Sequence, residues 1–221
     1  MKVLVLDSAL ARRTAAVVSD GEVVAVRTES DRTEAGTTGH EAALPGMVRD
    51  VLAEAGGGIG LIAVAVGPGS FTGIRAGLAL GHGLGLALGV PVVGVTVGEA
   101  LASAFPHLGY RALWVATGSR RGHVFLERGA ERVSLTVEDL PSPSGPVAVA
   151  GPAANQVAAR LASRGCDVLL TDARFAAPRH VALVAARRHA GDLPSLPAQP
   201  LYVDPPEARL PAGGLRPPPQ P

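Results

Sequence analysis

The feature that most constrains this chain is a glycine-rich junction between an apolar run and a helical run. Residues 67–75 read GPGSFTGIR and directly follow LIAVAV. Glycine permits a positive φ and a close approach between backbones, and Ser70 or Thr72 can cap the helix that follows. We therefore predict a buried strand, a tight turn and a helix in succession, which is typical of an α/β fold.

Two interpretations of this turn remain open. The spacing of Gly67, Gly69 and Gly73 is not the Rossmann spacing. The chain contains no Gly-Lys-Ser/Thr sequence, so a P-loop is excluded. In the first interpretation, the turn only docks the helix onto its strand. Alternatively, free N–H groups at the start of the helix can bind an anion. The residues expected to contact a nucleotide or anion are Asp7, Ser8, Gly67, Gly69, Ser70 and Thr72.

Composition favours a cytoplasmic protein without membrane association. The net charge of +1 argues against a dedicated nucleic-acid binder, and the single cysteine, Cys166, fits a reducing compartment. The most membrane-like stretch, residues 78–97, contains His82 and is divided by Pro91 into two segments that are each too short to span a bilayer.

The order of predicted elements repeats along the chain. A hairpin is predicted at Asp20-Gly21, followed by a helix at 40–56, a strand at LIAVAV and a helix at 73–89. From about residue 110 a second β-meander begins, and strands and helices then alternate again. We predict an N-terminal α/β domain at 1–108, a smaller C-terminal α/β domain at 109–204 and a disordered proline-rich tail at 205–221.

The helix at 40–56 begins with a sequence that partly matches a zinc-protease motif. His40-Glu41 is the start of HExxH, but Leu44 stands where the second histidine would be. The metalloprotease interpretation therefore fails, and we predict no metal site. We expect this helix to bind a partner through His40, Leu44, Met47, Val48 and Val51.

The second helix carries a glycine at every fourth position from Gly73 to Gly89. Glycine inside a helix costs up to about 1 kcal/mol relative to alanine, so this ladder needs an explanation. The glycines can form a smooth face for a closely packed partner helix, or they can pack on the sheet of their own chain. The predicted partner-contact positions are Gly73, Gly77, Gly81 and Gly85.

Four segments together resemble the TsaB (YeaZ) family. They are VLVLDSA, HEAALP, AVAVGPGSFTGIRAGLALGHGLGLALGVPVVGV and PLYVDPPEARLP. The second half departs from the family pattern. Gly118, Ser119, His123 and Phe125 replace the usual Asp, Ala, Glu and Tyr, and Asp204 replaces a basic residue.

The resemblance implies an actin-like ATPase fold (ASKHA, RNase H-like), with two related α/β domains of which the second is reduced. It implies a non-catalytic subunit of the machinery that synthesises threonylcarbamoyladenosine (t6A) in tRNA. The implied partners are a TsaD-like catalytic paralogue, a TsaE-like ATPase and, in isolation, a second copy of the chain. The complex would use ATP and reach tRNA, while this chain would bind no cofactor by itself. The alternative is an actin-like ATPase that binds nucleotide in its own right. The turn after Asp7, with Ala9 and Leu10 where phosphate donors would help, argues against that alternative.

Overall fold

The computed structural model describes residues 1–30, 43–118 and 122–203. His40, Ser119, Asp204 and the predicted tail lie outside the described residues. The first sheet has the strand order β3-β2-β1-β4-β5. Its strands are β1 (Lys2–Asp7), β2 (Arg12–Ser19), β3 (Glu22–Ser30), β4 (Ile59–Gly67) and β5 (Val92–Thr96).

The first sheet combines a hairpin meander with parallel strands. β1 pairs antiparallel with β2 and parallel with β4, which in turn pairs parallel with β5. The predicted hairpin between β2 and β3 is confirmed: Asp20 and Gly21 both have positive φ, at 51° and 88°. Two positive φ values in a two-residue loop match the twist of the flanking strands.

Two helices of the first unit connect its parallel strands. α1 (Ala43–Ala55) packs on β2 and β3, and α2 (Phe71–Leu88) packs mainly on β4. The Nζ of Lys2 donates to the carbonyl oxygens of Ala55 and Gly57, at 2.7 and 3.1 Å, and so satisfies the end of α1. Gly89 ends α2 in the left-handed conformation, with φ of 67°.

The second sheet repeats the topology of the first. Its order is β10-β9-β6-β7-β8, with the same succession of antiparallel and parallel pairings. Its strands are β6 (Ala112–Gly118), β7 (His123–Arg128), β8 (Glu131–Thr136), β9 (Val147–Ala150) and β10 (Val168–Leu170). α4 (Ala154–Ser163) follows β9 as α2 follows β4, but residues 137–146 join β8 to β9 without a helix. This is the predicted actin-like (ASKHA, RNase H-like) arrangement with a reduced second unit.

α3 and α5 lie at the contact between the two units. α3 (Val97–Ala102) follows β5 and packs in the first hydrophobic core, where it also contacts β6. α5 (Pro178–His189) follows β10 yet packs across the first sheet. Val181, Ala185 and Ala198 belong to the first hydrophobic core, whereas α4 and Trp114 belong to the second. The chain therefore returns to the first core at α5, and the predicted domain bounds at 1–108 and 109–204 stay a prediction.

Three departures from the family pattern fall on described positions. Gly118 ends β6 and is exposed, His123 begins β7 and is half-buried, and Phe125 lies in β7 and is half-buried. In the described ranges, no helix has the length and apolar character needed to cross a membrane.

Candidate partner-docking surface

The glycine turn before α2 lies directly on the first turn of the chain. The backbone N–H of Ser70 donates to the carbonyl oxygen of Ala9 at 2.6 Å, and the hydroxyl of Ser8 donates to the carbonyl oxygen of Gly73 at 2.7 Å. A Cβ built on Gly69 would lie 2.0 Å from the Ala9 oxygen, and one built on Gly73 would lie 2.0 Å from the Ser8 oxygen. These two glycines are required because backbone occupies the space of any side chain.

Most of the predicted anion-contact residues lie at this turn, where their hydrogen bonds are to the backbone of Ala9 and Gly73. Ser70 is the N-cap of α2, and its Oγ accepts from the N–H of Gly73 at 3.2 Å. Thr72 is exposed in the first turn of α2, and Gly67 lies against Ile74 and the backbone of Leu201. The geometry supports the docking interpretation of the turn, and the nucleotide contact stays a prediction.

The electrostatics of the first turn also favour structure over ligand binding. Burial raises the pKa of Asp7, opposed by a hydrogen bond from the Ala9 amide and by the charge of Arg12. Burial likewise lowers the pKa of Arg12, opposed by Asp7. Arg12 donates to the carbonyl oxygen of Ala176 at 3.0 Å and lies 4.5 Å from the ring centroid of Phe175. Arg12 thus holds the first turn to the segment that leads into α5.

The glycine ladder of α2 faces this chain's own sheet. A Cβ on Gly77 would lie 2.6 Å from Ser8 Oγ, one on Gly81 would lie 2.6 Å from Val64, and one on Gly85 would lie 2.4 Å from Val92. Of the two interpretations of the ladder, the geometry supports packing on the sheet. Partner binding by α2 stays a prediction, but its surface has to be the opposite face.

The predicted contact residues of α1 are also turned inward. Leu44, Met47, Val48 and Val51 are all buried in the first hydrophobic core. They are the apolar stripe that attaches α1 to β2 and β3, which is the usual role of such a stripe on a surface helix. His40 lies outside the described residues.

The outward face of α2 carries exposed apolar residues at both ends and small residues between them. Phe71 is 53% exposed and Leu86 is 88% exposed. Arg75, Ala79, His82 and Gly83 are exposed between them, and a Cβ on Gly83 would meet no atom within 4 Å. This face therefore has room for another helix to approach closely.

An aromatic and arginine cluster at the start of α2 was not predicted. The guanidinium of Arg75 lies 3.6 Å from the ring centroid of Phe71, and its Nε and Nη2 donate to the hydroxyl of Tyr202 at 3.0 and 2.8 Å. Tyr202 and Phe71 are about half-exposed. Sequence separation conceals this cluster, although PLYVDPPEARLP was among the segments that carried the resemblance.

Tyr202 is placed there by a segment that we call the strap, residues 190–203. The strap follows α5 and passes close to the edge strand β5, where a Cβ on Gly94 would lie 2.7 Å from the carbonyl oxygen of Pro197. Arg188 donates to the carbonyl oxygens of Pro194 and Gly94, at 2.7 and 2.6 Å. His82 Nε2 lies 2.7 Å from the carbonyl oxygen of Ala198, and the N–H of Leu201 donates to Val66. The strap therefore connects α5 to α2 around the edge of the first sheet.

In the described part of the chain, no three histidine, cysteine, aspartate or glutamate side chains gather in a group that could hold a metal ion.

Comparisons with known proteins agree with the resemblance. Residues 33–161 match the family model TsaD, described as tRNA N6-adenosine threonylcarbamoyltransferase. The chain is 31% identical over 129 residues to the tRNA threonylcarbamoyladenosine biosynthesis protein TsaB of Escherichia coli K12, across 57% of this chain and 53% of that protein. It is 33% identical over 111 residues to a tRNA N6-adenosine threonylcarbamoyltransferase of Ruegeria, across 46% of this chain. The matched segments span about half of the first relative and 30% of the second.

Solved structures extend the likeness over nearly the whole chain. YeaZ from Pseudomonas aeruginosa superposes with a TM-score of 0.70 at 23% identity, covering 91% of this chain and 99% of that one. A second structure from the same organism, described as similar to peptidase YeaZ, also gives 0.70, at 24% identity and 92% and 99% coverage. These structures share the fold. Because the family model matches more than half of the chain, the chain belongs to the family of TsaD, tRNA N6-adenosine threonylcarbamoyltransferase, and the predicted TsaB (YeaZ) membership is confirmed.

Proposed function

We propose that this chain is a non-catalytic subunit of the machinery that synthesises t6A in tRNA. It binds a TsaD-like catalytic paralogue through the outward face of α2, in an assembly that includes a TsaE-like ATPase. The chain itself binds no cofactor. ATP is used by the complex, and tRNA is reached only through the complex. In isolation, the same face pairs with a second copy of the chain. The assembly works in the cytoplasm.

The outward face of α2 is the observation that carries this proposal. Single exposed leucines are ordinary on protein surfaces, but Phe71 and Leu86 lie along one side of α2, with the small residues Ala79 and Gly83 among the exposed residues between them. Small residues let two helix backbones approach closely, and the large apolar ends are then removed from water. Aromatic and arginine side chains such as Tyr202 and Arg75 are enriched among residues that dominate binding energy.

The first test replaces an exposed residue of this face. Leu86→Glu leaves the buried face of α2 untouched, so the variant is expected to fold normally by circular dichroism. Burying a leucine is worth about 1.5–3 kcal/mol, so we expect binding to the TsaD-like partner to weaken by roughly tenfold to a hundredfold. Isothermal titration with the purified partner measures the change.

A matched control is available on another helix. Leu183 of α5 is 49% exposed, and Leu183→Glu introduces the same charge away from α2. This control is expected to bind like the wild type. If Leu86→Glu is folded and binds with unchanged affinity, the outward face of α2 is not the docking surface.

A further inference from the structure

Glu127 of β7 is a buried carboxyl group at the contact between the two α/β units. Its side chain is 3% exposed and lies against the first turn of α3, which belongs to the other unit. A Cβ on Gly98 would lie 2.6 Å from Glu127 Oε2 and 2.9 Å from Oε1. Glycine at position 98 is therefore what allows the carboxyl of one unit to reach the backbone of the other.

The carboxyl group is only partly compensated. Oε2 accepts from the Nε of Arg132 on β8 at 3.2 Å, whereas Oε1 has no hydrogen-bond partner among the described residues. The amide of Gly98 and the hydroxyl of Thr96 also face the carboxyl and favour its ionised form. Thr117 of β6 is buried too, and its hydroxyl likewise lacks a partner within the described ranges.

Two other ionisable groups lie near this contact, Glu99 and His180. Glu99 of α3 accepts from the N–H of Thr96 and pairs with Arg188 of α5. His180 of α5 lies near the end of α3, where its carbonyl oxygen accepts from the hydroxyl of Ser103. Burial lowers the pKa of His180 below its ordinary value of 6.5. Glu127 is thus a buried carboxyl whose counter-charge, Arg132, binds only one of its two oxygens among the described residues.

We propose that Glu127 is a proton-dependent latch between the two α/β units. Thr96 and Gly98 belong to the first unit, so the carboxyl loses much of its water only when the two units are in contact. Burying an ionised carboxylate costs much more free energy than burying its neutral form. When the two units are in contact (the closed contact), the Glu127 carboxyl therefore retains a proton. When they separate (the open contact), it releases that proton.

The pKa of Glu127 gives the pH range over which the contact responds. Burial raises the pKa of Glu127 from 4.5 to about 7, opposed by Arg132, Gly98 and Thr96. Between these two values the closed contact binds more protons than the open one. Its stability is therefore greatest at acidic pH, falls as pH rises from about 5 to 7, and is constant above that range.

Hydrogen exchange on the full chain tests the latch. Once corrected for intrinsic exchange, protection of the α3 and β5 amides is expected to fall by up to about a hundredfold between pH 5 and 7, which is tenfold per pH unit for one proton. Glu127→Gln is expected to remove this pH dependence. Glu131→Gln, which changes a 57%-exposed carboxyl on the neighbouring strand, is expected to keep it, as is His180→Gln.

Two results would overturn the latch. One is a Glu127→Gln variant with the same pH-dependent protection as the wild type. The other needs no variant: if ¹³C NMR of the wild-type chain shows the Glu127 carboxyl titrating at its ordinary value, the contact does not hold a proton.

Discussion

At the scale of single residues, glycines of the same segment have very different surroundings. Gly69 and Gly73 touch the carbonyl oxygens of Ala9 and Ser8, where no side chain fits. Gly83, in the middle of α2, faces open space. Sequence position does not distinguish these glycines, since all three lie within the same glycine-rich segment. They differ in whether another part of the backbone occupies the space beside the Cα atom.

This difference predicts opposite effects for the same substitution. Gly69→Ala forces the first turn and α2 apart, and we expect it to destabilise the fold by about 1–3 kcal/mol or more, as overpacking does. Gly83→Ala should stabilise the fold by up to about 1 kcal/mol, because alanine is the better helix former. Urea denaturation of both variants measures the difference. Equal stabilities would show that the turn is not held as described.

At the scale of elements, the strap stabilises the first unit although it is the last described part of the chain. Leu193, Leu196 and Leu201 pack on the first hydrophobic core, and Ala198 is buried. The strap also passes close to β5, which is the edge of the first sheet. An uncovered edge strand exposes unpaired backbone groups to other chains, so a segment beside it also opposes aggregation.

Two truncations distinguish the contribution of the strap to stability from that of the tail. Deleting residues 193–221 removes the three leucines from the core, and we expect a loss of about 3 kcal/mol or more with a tendency to aggregate. Deleting residues 204–221 removes a proline-rich segment with little apolar content, so the melting temperature should not change. Calorimetry and light scattering provide the comparison. A fall in melting temperature on the shorter deletion would mean that the tail packs on the fold.

At the scale of the whole molecule, two α/β units with an actin-like topology need not form an ATPase. The turn after β1 is occupied by its own backbone contacts with Gly69 and Gly73, and burial raises the pKa of Asp7. A carboxyl that disfavours ionisation is a weak ligand for a nucleotide-bound metal ion. These contacts support a structural role for the first turn, and the absence of nucleotide binding by this chain stays a prediction.

We accordingly expect the purified chain to show no ATP turnover attributable to Asp7. Asp7→Asn keeps the shape of the side chain and removes its charge, so wild type and variant should give the same background rate in a phosphate-release assay. Calorimetric titration with Mg-ATP checks binding independently. Turnover in the wild type that disappears in Asp7→Asn would favour the ATPase alternative over the scaffold.

Much of the architecture could be predicted because its signals are local. The strand before Gly67, the cap at Ser70 and the hairpin at Asp20-Gly21 each follow from a few neighbouring residues. The repeated order of elements likewise predicts the duplicated topology. The Phe71–Arg75–Tyr202 cluster could not be predicted in the same way, because it joins residues 127 positions apart.

The sequence by itself determined where helices and strands form, how they repeat and which family the chain resembles, since propensity, periodicity and turn chemistry act over short distances. The tertiary structure decided which face of each helix is used. It turned Gly77, Gly81 and Gly85 toward the sheet, buried Leu44 and Val51 in the core, and left Phe71 and Leu86 exposed. A ladder of small residues can pack equally well on a partner helix or on the sheet of its own chain. Only the position of the rest of the chain distinguishes these two possibilities.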